Sequence, residues 1–366
     1  MVQLLLKSAF REKLCTQALA LACAIALWTS PSAASKTPKS QPVTVPELLL
    51  EGGRRLSFER SFWSEPEVKL KRGFWSRLLD IVAGAPDYHA LISPYEVVTD
   101  SRGRVIVTDP GAGGIHIFDF DQQKYKFISR EKDKDGLVTP QCLTVDAADN
   151  IYVTDSESGK IFVFDPSGKF QRTIGSLKGG EGYFKRPTGI AVDSAAQRVY
   201  VTDTLRNQIF VTDMQGSVLQ IIGKTGVGNG EFNYPTELRL YGDNLIVVDA
   251  MNFRVQVLDR SGKFRYAIGR LGESQGQMFR PKGIGVDSEG HLYVVEAVGG
   301  LVQVFDQEGN LLYYFGQRGS GFGEFQLPTG LWIDSNDRVL VVDSYNRRVQ
   351  IFRYFGLAKQ GAGGQR

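Results

Sequence analysis

The sequence predicts an all-β protein, a six-bladed β-propeller of four-stranded antiparallel blades that an N-terminal strand closes. The main observation is an internal repeat, because one pattern of short strands and polar turns recurs at intervals of 46 to 48 residues. Each unit begins at a proline: Pro94, Pro140, Pro187, Pro235, Pro281 and Pro328. A period in the forties with four strands per unit is typical of a propeller blade, and several blades must stack to bury both faces of each sheet.

Within each unit the strands follow one another in a fixed order. An apolar strand after the proline usually ends in aspartate, and a second strand ends in an acid: Asp109, Asp155, Asp203, Asp249, Glu296 and Asp343. We expect these acids to be architectural, because aspartate at a strand end accepts hydrogen bonds from backbone N–H groups two residues further on. A third strand follows in every unit, and a fourth closes the first five, as in FQRTIG and LLYYFG.

The last unit lacks an outer strand, because Val349–Phe352 continues into the following residues without the turn seen in the other units. An open strand edge leaves backbone donors and acceptors unpaired. We therefore expect the N-terminal segment Pro66–Lys71, with Val68 and Leu70 facing inward, to supply the missing strand. Beside it, apolar residues spaced as on one helix face predict a short amphipathic helix over 74–82.

Residues 1–34 are similar to a secretory signal peptide. A basic start with Lys7, Arg11 and Lys13 is followed by an apolar run and then by small residues. The run is short for a membrane span, so we expect cleavage near Ser35 and export to the periplasm or the extracellular space, with an uncleaved membrane anchor as the alternative. The predicted divisions are the signal peptide (1–34), a linker and N-terminal extension (35–65), a closing strand and short helix (66–90), the propeller (91–356) and a flexible tail (357–366).

Charge and cysteine content argue against several kinds of partner. The chain has a net charge of +3, and removal of residues 1–34 takes away three bases and one acid, which leaves +1. A nearly neutral surface argues against nucleic acid, which requires several concentrated phosphate contacts. Beyond the signal segment Cys142 is the only cysteine, so we expect a buried thiol and no internal disulfide. We also expect a monomer with no membrane span in the mature chain.

The repeat unit resembles the NHL repeat. The openings PTGIAVD, PKGIGVD and PTGLWID carry this resemblance, together with the turns in DAMNFRVQV and DSYNRRVQI and the linking stretches GVGNGEF and GSGFGEF. The resemblance covers about residues 91–356 and implies the propeller fold. It implies much less about function, because propellers of this type serve unrelated roles. RNA binding, which occurs in animal NHL domains, is not expected in an exported and nearly neutral chain.

One departure from the repeat points to the central channel. The third residue of the opening is glycine in three units, but it is Glu96 in the first, Cys142 in the second and Glu237 in the fourth. This position begins the innermost strand, and the first and fourth blades lie opposite each other in a ring of six. We therefore predict that both carboxylates face each other across the channel, with Cys142 and Arg239 nearby. The alternative is a local pair of Glu237 with Arg239.

A second departure concerns the turn between the second and third strands. Three units carry asparagine and arginine there, whereas the other three are rich in glycine. The candidate binding residues of this turn are Arg206, Asn207, Asn252, Arg254, Asn346, Arg347 and Arg348. A rim that is basic along one arc and open along the other suits an acidic or extended partner. The alternative is that asparagine satisfies the backbone of the turn and arginine bridges to the next blade.

These observations favour a scaffold that binds a protein, peptide or glycan partner through its loop face and channel mouth. We identify no catalytic residues, and none of the three histidines lies on an inner strand. The alternative is an enzyme of the six-bladed lactonase or lyase kind, which would act on a small molecule at a calcium or zinc ion in the channel. Only Glu96 and Glu237 match that pattern. We expect no cofactor, with a calcium ion in the central channel as the alternative.

Overall fold

The computed structural model describes residues 46–68, 88–129 and 136–356, which lie in one compact unit that begins at Val45. The predicted signal peptide, the predicted helix over 74–82 and the predicted tail lie outside the described residues, so they stay predictions.

The described residues form short strands with almost no helix. Two N-terminal strands, β1 (Glu47–Leu49) and β2 (Arg55–Phe62), precede the repeats. The first three blades contain β3 (Glu96–Thr99), β4 (Val105–Asp109), β5 (Gly114–Asp119), β6 (Lys124–Ser129), β7 (Pro140–Val145), β8 (Ile151–Asp155), β9 (Lys160–Phe164), β10 (Phe170–Ile174), β11 (Pro187–Asp193), β12 (Arg198–Asp203), β13 (Gln208–Asp213) and β14 (Val218–Ile222). The last three contain β15 (Pro235–Tyr241), β16 (Asn244–Asp249), β17 (Arg254–Asp259), β18 (Phe264–Ile268), β19 (Pro281–Val286), β20 (Leu292–Glu296), β21 (Leu301–Phe305), β22 (Leu311–Phe315), β23 (Leu331–Ile333), β24 (Arg338–Asp343) and β25 (Arg348–Phe355). Short 3-10 helices span Glu51–Gly53, Glu65–Glu67 and Ala250–Asn252.

Six antiparallel sheets follow one another along the chain, one for each repeat unit, and this confirms the six-bladed propeller. In blades one to five the strands pair in chain order, so the first strand of each blade is innermost. Each inner strand contacts the inner strands of the blades on either side, and β23 contacts β3, which closes the ring.

Apolar side chains on both faces of each sheet pack between neighbouring blades. Between blades one and two, for example, Val98 and Ile106 lie in the same cluster as Leu143 and Val153, and all four are fully buried. Successive side chains of a strand point to opposite faces, so each blade fills two interfaces. Valine and isoleucine suit this packing because their branched side chains fit a pleated surface.

An N-terminal strand closes the ring, as expected, but the strand is β2 and not Pro66–Lys71. β2 pairs antiparallel with β25, and β1 adds a fifth strand outside it. Leu56 and Phe58 pack in the cluster between blades five and six. A bulge after Phe58 then turns Phe62 into the cluster between blades six and one. One strand therefore seals both sides of the last blade.

The reason why Pro66–Lys71 does not form this strand lies in its first residues. Pro66 lies in the 3-10 helix Glu65–Glu67, where Ser64 and Glu67 form a capping box. Proline cannot donate a hydrogen bond to a strand partner, and the capping box stabilises a turn at this point. Val68 is buried against blade one, as its predicted inward orientation requires, and the remainder of the segment lies outside the described residues.

The acids at the ends of the second strands are architectural, but their partners differ from the prediction. Asp109 accepts hydrogen bonds from the backbone N–H groups of Ile92 and Ser93, on the loop that enters its own blade. The five equivalent acids contact the corresponding loops of their blades. Bonds from an N–H two residues further on occur instead at acids that end first strands, such as Asp100 with Arg102. The second-strand acids thus tie each blade to the segment that joins it to the blade before.

Candidate functional site

The channel residues identified from the sequence come together near the propeller axis. Glu96 lies on β3, Cys142 on β7, and Glu237 and Arg239 on β15, and the four residues are 0 to 7% exposed. They meet because alternate side chains of each inner strand point toward the axis. Glycine at the equivalent position of the other blades leaves space for them. A Cβ atom on Gly330, for example, would lie 2.7 Å from Oε1 of Glu96.

Arg239 and Cys142 bridge the two carboxylates from opposite sides. The guanidinium of Arg239 donates to Oε1 of Glu237 and, at 3.2 Å, to Oε1 of Glu96. The thiol of Cys142 lies 2.9 Å from Oε2 of Glu237 and 3.8 Å from Oε2 of Glu96. Arg239 also lies 5.3 Å from the ring centroid of Trp332. One cluster therefore contains both the local pair of Glu237 with Arg239 and the two carboxylates predicted to face each other across the channel.

Burial sets the charge of this cluster. Burial and the neighbouring Glu237 raise the pKa of Glu96 well above its usual range. Burial, followed by the two carboxylates, raises the pKa of the Cys142 thiol. The raised pKa values favour a protonated Glu96 and a neutral thiol beside the pair of Glu237 and Arg239. Because the nucleophilic form of cysteine is the thiolate, this environment does not activate Cys142.

The same side chains include a candidate metal site. Ligand atoms of Glu96, Cys142 and Glu237 all lie within 4.8 Å of one another. A thiolate with two carboxylates suits Zn²⁺ better than Ca²⁺, because calcium takes six to eight oxygen ligands. Arg239 already donates to both carboxylates, and its positive charge opposes a cation between them. The donor set therefore does not fit the calcium ion that the sequence suggested as an alternative.

Tyr95 and its neighbours cover the cluster on the side of the channel mouth. A narrow cleft above the carboxylates is lined by Tyr95, Thr236, Lys282 and Thr329, and it is too small to admit a water molecule. Nζ of Lys282 lies 5.8 Å from the ring centroid of Tyr95. Burial and the nearby charge of Arg280 lower the pKa of Lys282. The channel is therefore closed just below its mouth.

The predicted binding residues of blades four and six contact the loops that join the blades. Asn252 donates to the carbonyl of Gly226, and Arg254 donates to the carbonyl of Gly228. Both also donate to Asp249 of their own blade. The corresponding side chains of blade six make the same set of contacts, from Asn346 to Gly319 and Asp343 and from Arg348 to Gly321, Glu324 and Asp343. These four residues thus hold the linking loops in place, as the structural alternative expects.

Three predicted rim residues remain. Arg206 and Asn207 make hydrogen bonds within the protein, and Arg347 is exposed. Arg206 donates to Asp203 and to the carbonyl of Tyr183. Asn207 donates to Thr225, and its carbonyl oxygen accepts from the backbone N–H of Tyr234. Arg347 is exposed and makes no hydrogen bond or ion pair through its side chain within the described part of the chain. The basic arc predicted from these turns is therefore largely neutralised by contacts within the protein.

A set of exposed residues at the channel mouth was not among the predicted binding residues. The residue before the opening proline is Arg186 in blade three, Tyr234 in blade four, Arg280 in blade five and Leu327 in blade six, and all four are exposed. We call these four residues the mouth arc. The signal that identifies them is the residue before each repeated proline, which is serine or threonine in blades one and two.

The backbone and the charges of the mouth arc are both unusual. Tyr234 and Leu327 have φ angles of 55° and 47°, a left-handed conformation that costs a non-glycine residue free energy and is concentrated at functional sites. The side chains of Arg186 and Arg280 make no hydrogen bond or ion pair among residues 46–68, 88–129 and 136–356. The rim thus alternates free cations with exposed apolar side chains.

Comparison with known proteins supports the architecture. A family model described as a 6-bladed beta-propeller matches residues 124–197 and 191–241, and a model of the NHL repeat matches residues 325–352. The chain is a six-bladed β-propeller. Its sixth repeat unit is similar to the NHL repeat. No curated protein sequence matches the chain.

Solved structures with the same fold have unrelated functions. A streptogramin B lyase is 16% identical with a TM-score of 0.53, covering 72% of this chain and 94% of its own. A virginiamycin B lyase from Staphylococcus aureus is 15% identical with a TM-score of 0.52, covering 71% and 94%. An auxiliary nutrient binding protein from Bacteroides thetaiotaomicron is 12% identical with a TM-score of 0.56, covering 72% and 70%. At these identities the likeness shows the fold alone.

Within the described ranges, no helix has the length and apolar character that a membrane crossing requires.

Proposed function

We propose that this protein is a binding scaffold that holds an acidic, partly apolar polypeptide segment across the mouth of its channel. The observation that carries the proposal is the mouth arc, where Arg186 and Arg280 alternate with Tyr234 and Leu327. Complementary charge steers a partner to the site and sets its register, while buried aromatic and aliphatic side chains supply most of the affinity.

Neighbouring apolar side chains extend this surface outward. Met251 and Tyr345, on the turns between second and third strands, are 51% and 64% exposed, and Phe279 is 42% exposed. Phe279 stacks on Phe253, another residue with a left-handed backbone. Contiguous apolar patches bounded by polar groups are typical of protein interaction sites. A peptide is favoured over a glycan because these side chains lie on a broad face above a closed channel.

The proposal includes export, since the predicted signal peptide would bring the scaffold to a partner outside the cytoplasm. N-terminal sequencing of the exported form should begin near Ser35. Recovery of Met1 in a membrane fraction would instead indicate an uncleaved anchor.

A peptide titration tests the binding function. The probe is a fluorescein-labelled peptide that alternates glutamate with leucine, and a lysine–leucine peptide of equal length is the control. For the variant Arg186→Glu with Arg280→Glu we expect the Kd of the acidic peptide to rise about tenfold, which corresponds to about 1.4 kcal/mol. Fluorescence polarisation at low and high salt measures both the affinity and the expected weakening by screening.

The matched control moves the same charge change to the opposite end of the propeller. Lys169→Glu with Lys263→Glu alters two exposed lysines on turns between third and fourth strands, away from the mouth. This variant should bind the acidic peptide as the unaltered protein does. Equal weakening in both double variants would mean that net charge, and not the mouth arc, attracts the peptide.

A metal-dependent enzyme is the second candidate, because Glu96, Cys142 and Glu237 are close enough to share one ion. Elemental analysis of the purified protein, with a thermal shift on addition of Zn²⁺, distinguishes this candidate. One bound zinc per chain that is lost in Cys142→Ser would favour the enzyme. No ion and no thermal shift would favour the scaffold.

A further inference from the structure

A second cavity lies on the outer edge of the propeller, at the seam where the ring closes. It has a volume of about 760 Å³ and lies between the β1–β2 hairpin of blade six and the outer strand β22 of blade five. Its apolar wall consists of Leu48, Leu50, Leu56, Phe315 and Phe352. Small-molecule sites are commonly clefts of about 300–1,000 Å³ lined mainly by apolar and aromatic side chains.

One end of this cleft is polar, and its acceptors are already engaged. Glu289 accepts from Nε of Arg54 at 3.1 Å and from the hydroxyl of Tyr354 at 3.2 Å. Asp287 contacts Nδ1 of His291 at 2.9 Å and the hydroxyl of Tyr293 at 3.1 Å. The carboxylates at this end therefore have donors from within the protein.

Arg54 offers free hydrogen-bond donors at the polar end. Arg54 donates to Glu289 through Nε, and its two terminal nitrogens make no hydrogen bond with the described residues. They can donate to an acceptor on a ligand, and guanidinium groups form strong, oriented hydrogen bonds. Glu289 offsets the charge of Arg54, and Glu47 and Glu51 add negative charge to the lining of the cleft. A negatively charged ligand group would be repelled there, so the acceptor should be uncharged.

We propose that this cleft binds an uncharged, largely apolar small molecule that presents a carbonyl oxygen to Arg54. The apolar body lies against the leucine and phenylalanine wall, where its burial is favourable, and the carbonyl fixes its orientation. This site is separate from the mouth arc and does not depend on the peptide-binding role.

Prodan, an uncharged naphthyl ketone whose emission depends on the polarity around its carbonyl, is a suitable probe. We expect saturable binding with one site per chain and a shift of emission to shorter wavelength. Arg54→Leu should weaken binding about tenfold, the effect of losing one hydrogen bond from a charged donor. Leu48→Trp should reduce binding further by filling the cleft. Arg55→Leu is the matched control, because Arg55 is the adjacent arginine, lies over Phe355 and does not line the cleft.

Competition identifies the ligand class. An uncharged long-chain methyl ketone should displace prodan at lower concentration than dodecanoate or dodecylammonium of similar length. If prodan binding is not saturable, or if Arg54→Leu and Leu48→Trp both bind like the control while their melting temperatures confirm folding, the cleft is not the site. Stronger displacement by either charged amphiphile would overturn the proposed ligand class.

Discussion

The centre of the channel and the rim of its mouth both carry charged residues, on inner strands at the centre and directly before inner strands at the rim, yet these charges are satisfied differently. At the centre, Glu237 and Arg239 are buried and pair with each other and with Glu96. At the rim, the side chains of Arg186 and Arg280 have no ion-pair partner within the described residues. A buried charge must be compensated inside the fold, whereas an exposed charge can interact with a partner. A departure from a repeat therefore indicates binding only where the departing side chain is left unpaired.

Removal of the central arginine should produce the largest effect on stability. Arg239→Met leaves the buried carboxylate of Glu237 without its cation, and breaking a buried pair in this way costs about 3–5 kcal/mol. Denaturant unfolding, monitored by tryptophan fluorescence, measures this loss. Arg347→Met, at an exposed rim arginine, should change the free energy of unfolding by no more than about 0.5 kcal/mol. Equal losses in the two variants would mean that the central cluster is not a structural unit.

The next largest effect is a dependence of the free energy of unfolding on pH, which follows from the raised pKa of Glu96. A carboxyl group whose pKa is higher in the folded than in the unfolded state stabilises the fold at low pH, and this contribution is lost as the pH rises through the folded pKa. The free energy of unfolding should therefore decrease above about pH 5, by up to 1.4 kcal/mol per pH unit. Glu96→Gln should flatten this decrease.

The pH profile also has a control. Glu324 is a half-buried acid whose pKa is lowered by the backbone N–H of Gly321, so its contribution to stability has the opposite sign. Glu324→Gln should leave the decrease above pH 5 intact. An unchanged slope in Glu96→Gln would show that Glu96 is already ionised in the folded protein.

The smallest effect should come from the mouth arc itself. Arg186→Glu with Arg280→Glu should keep the free energy of unfolding within about 0.5 kcal/mol of the unaltered protein, because neither side chain has a partner to lose. Thermal and denaturant unfolding measure this. A large loss of stability would mean that the mouth arginines serve the fold, and the contrast between rim and centre would disappear.

The blades and the central cluster could be predicted because both depend on local, repeated patterns. Alternating apolar residues and a fixed period define the strands. The period also places equivalent residues, such as Glu96 and Glu237, at equivalent points around one axis. The closing strand was harder to predict, because Arg55–Phe62 contains a bulge that interrupts its alternation, and Pro66–Lys71 alternates more regularly in the sequence alone.

The roles of the rim residues could not be predicted because they depend on contacts between distant segments. In the sequence, Asn252 and Arg254 look like part of a free basic turn. In the structure they donate to carbonyls of the loop at 226–231, about 26 residues earlier in the chain. The mouth arc could not be predicted for a different reason. Its residues precede the repeated proline instead of lying inside the motif, so only the finished ring brings them side by side.

The double variant Glu96→Gln with Glu237→Gln tests the contrast between centre and rim most directly. It removes both channel carboxylates and leaves the mouth arc untouched. We expect a loss of about 2–4 kcal/mol in the free energy of unfolding, because Arg239 remains buried without a counter-charge. We also expect a Kd for the acidic peptide within about twofold of the unaltered protein, which corresponds to less than about 0.5 kcal/mol. Loss of peptide binding with unchanged stability would contradict the division between centre and rim and identify the channel as the binding site.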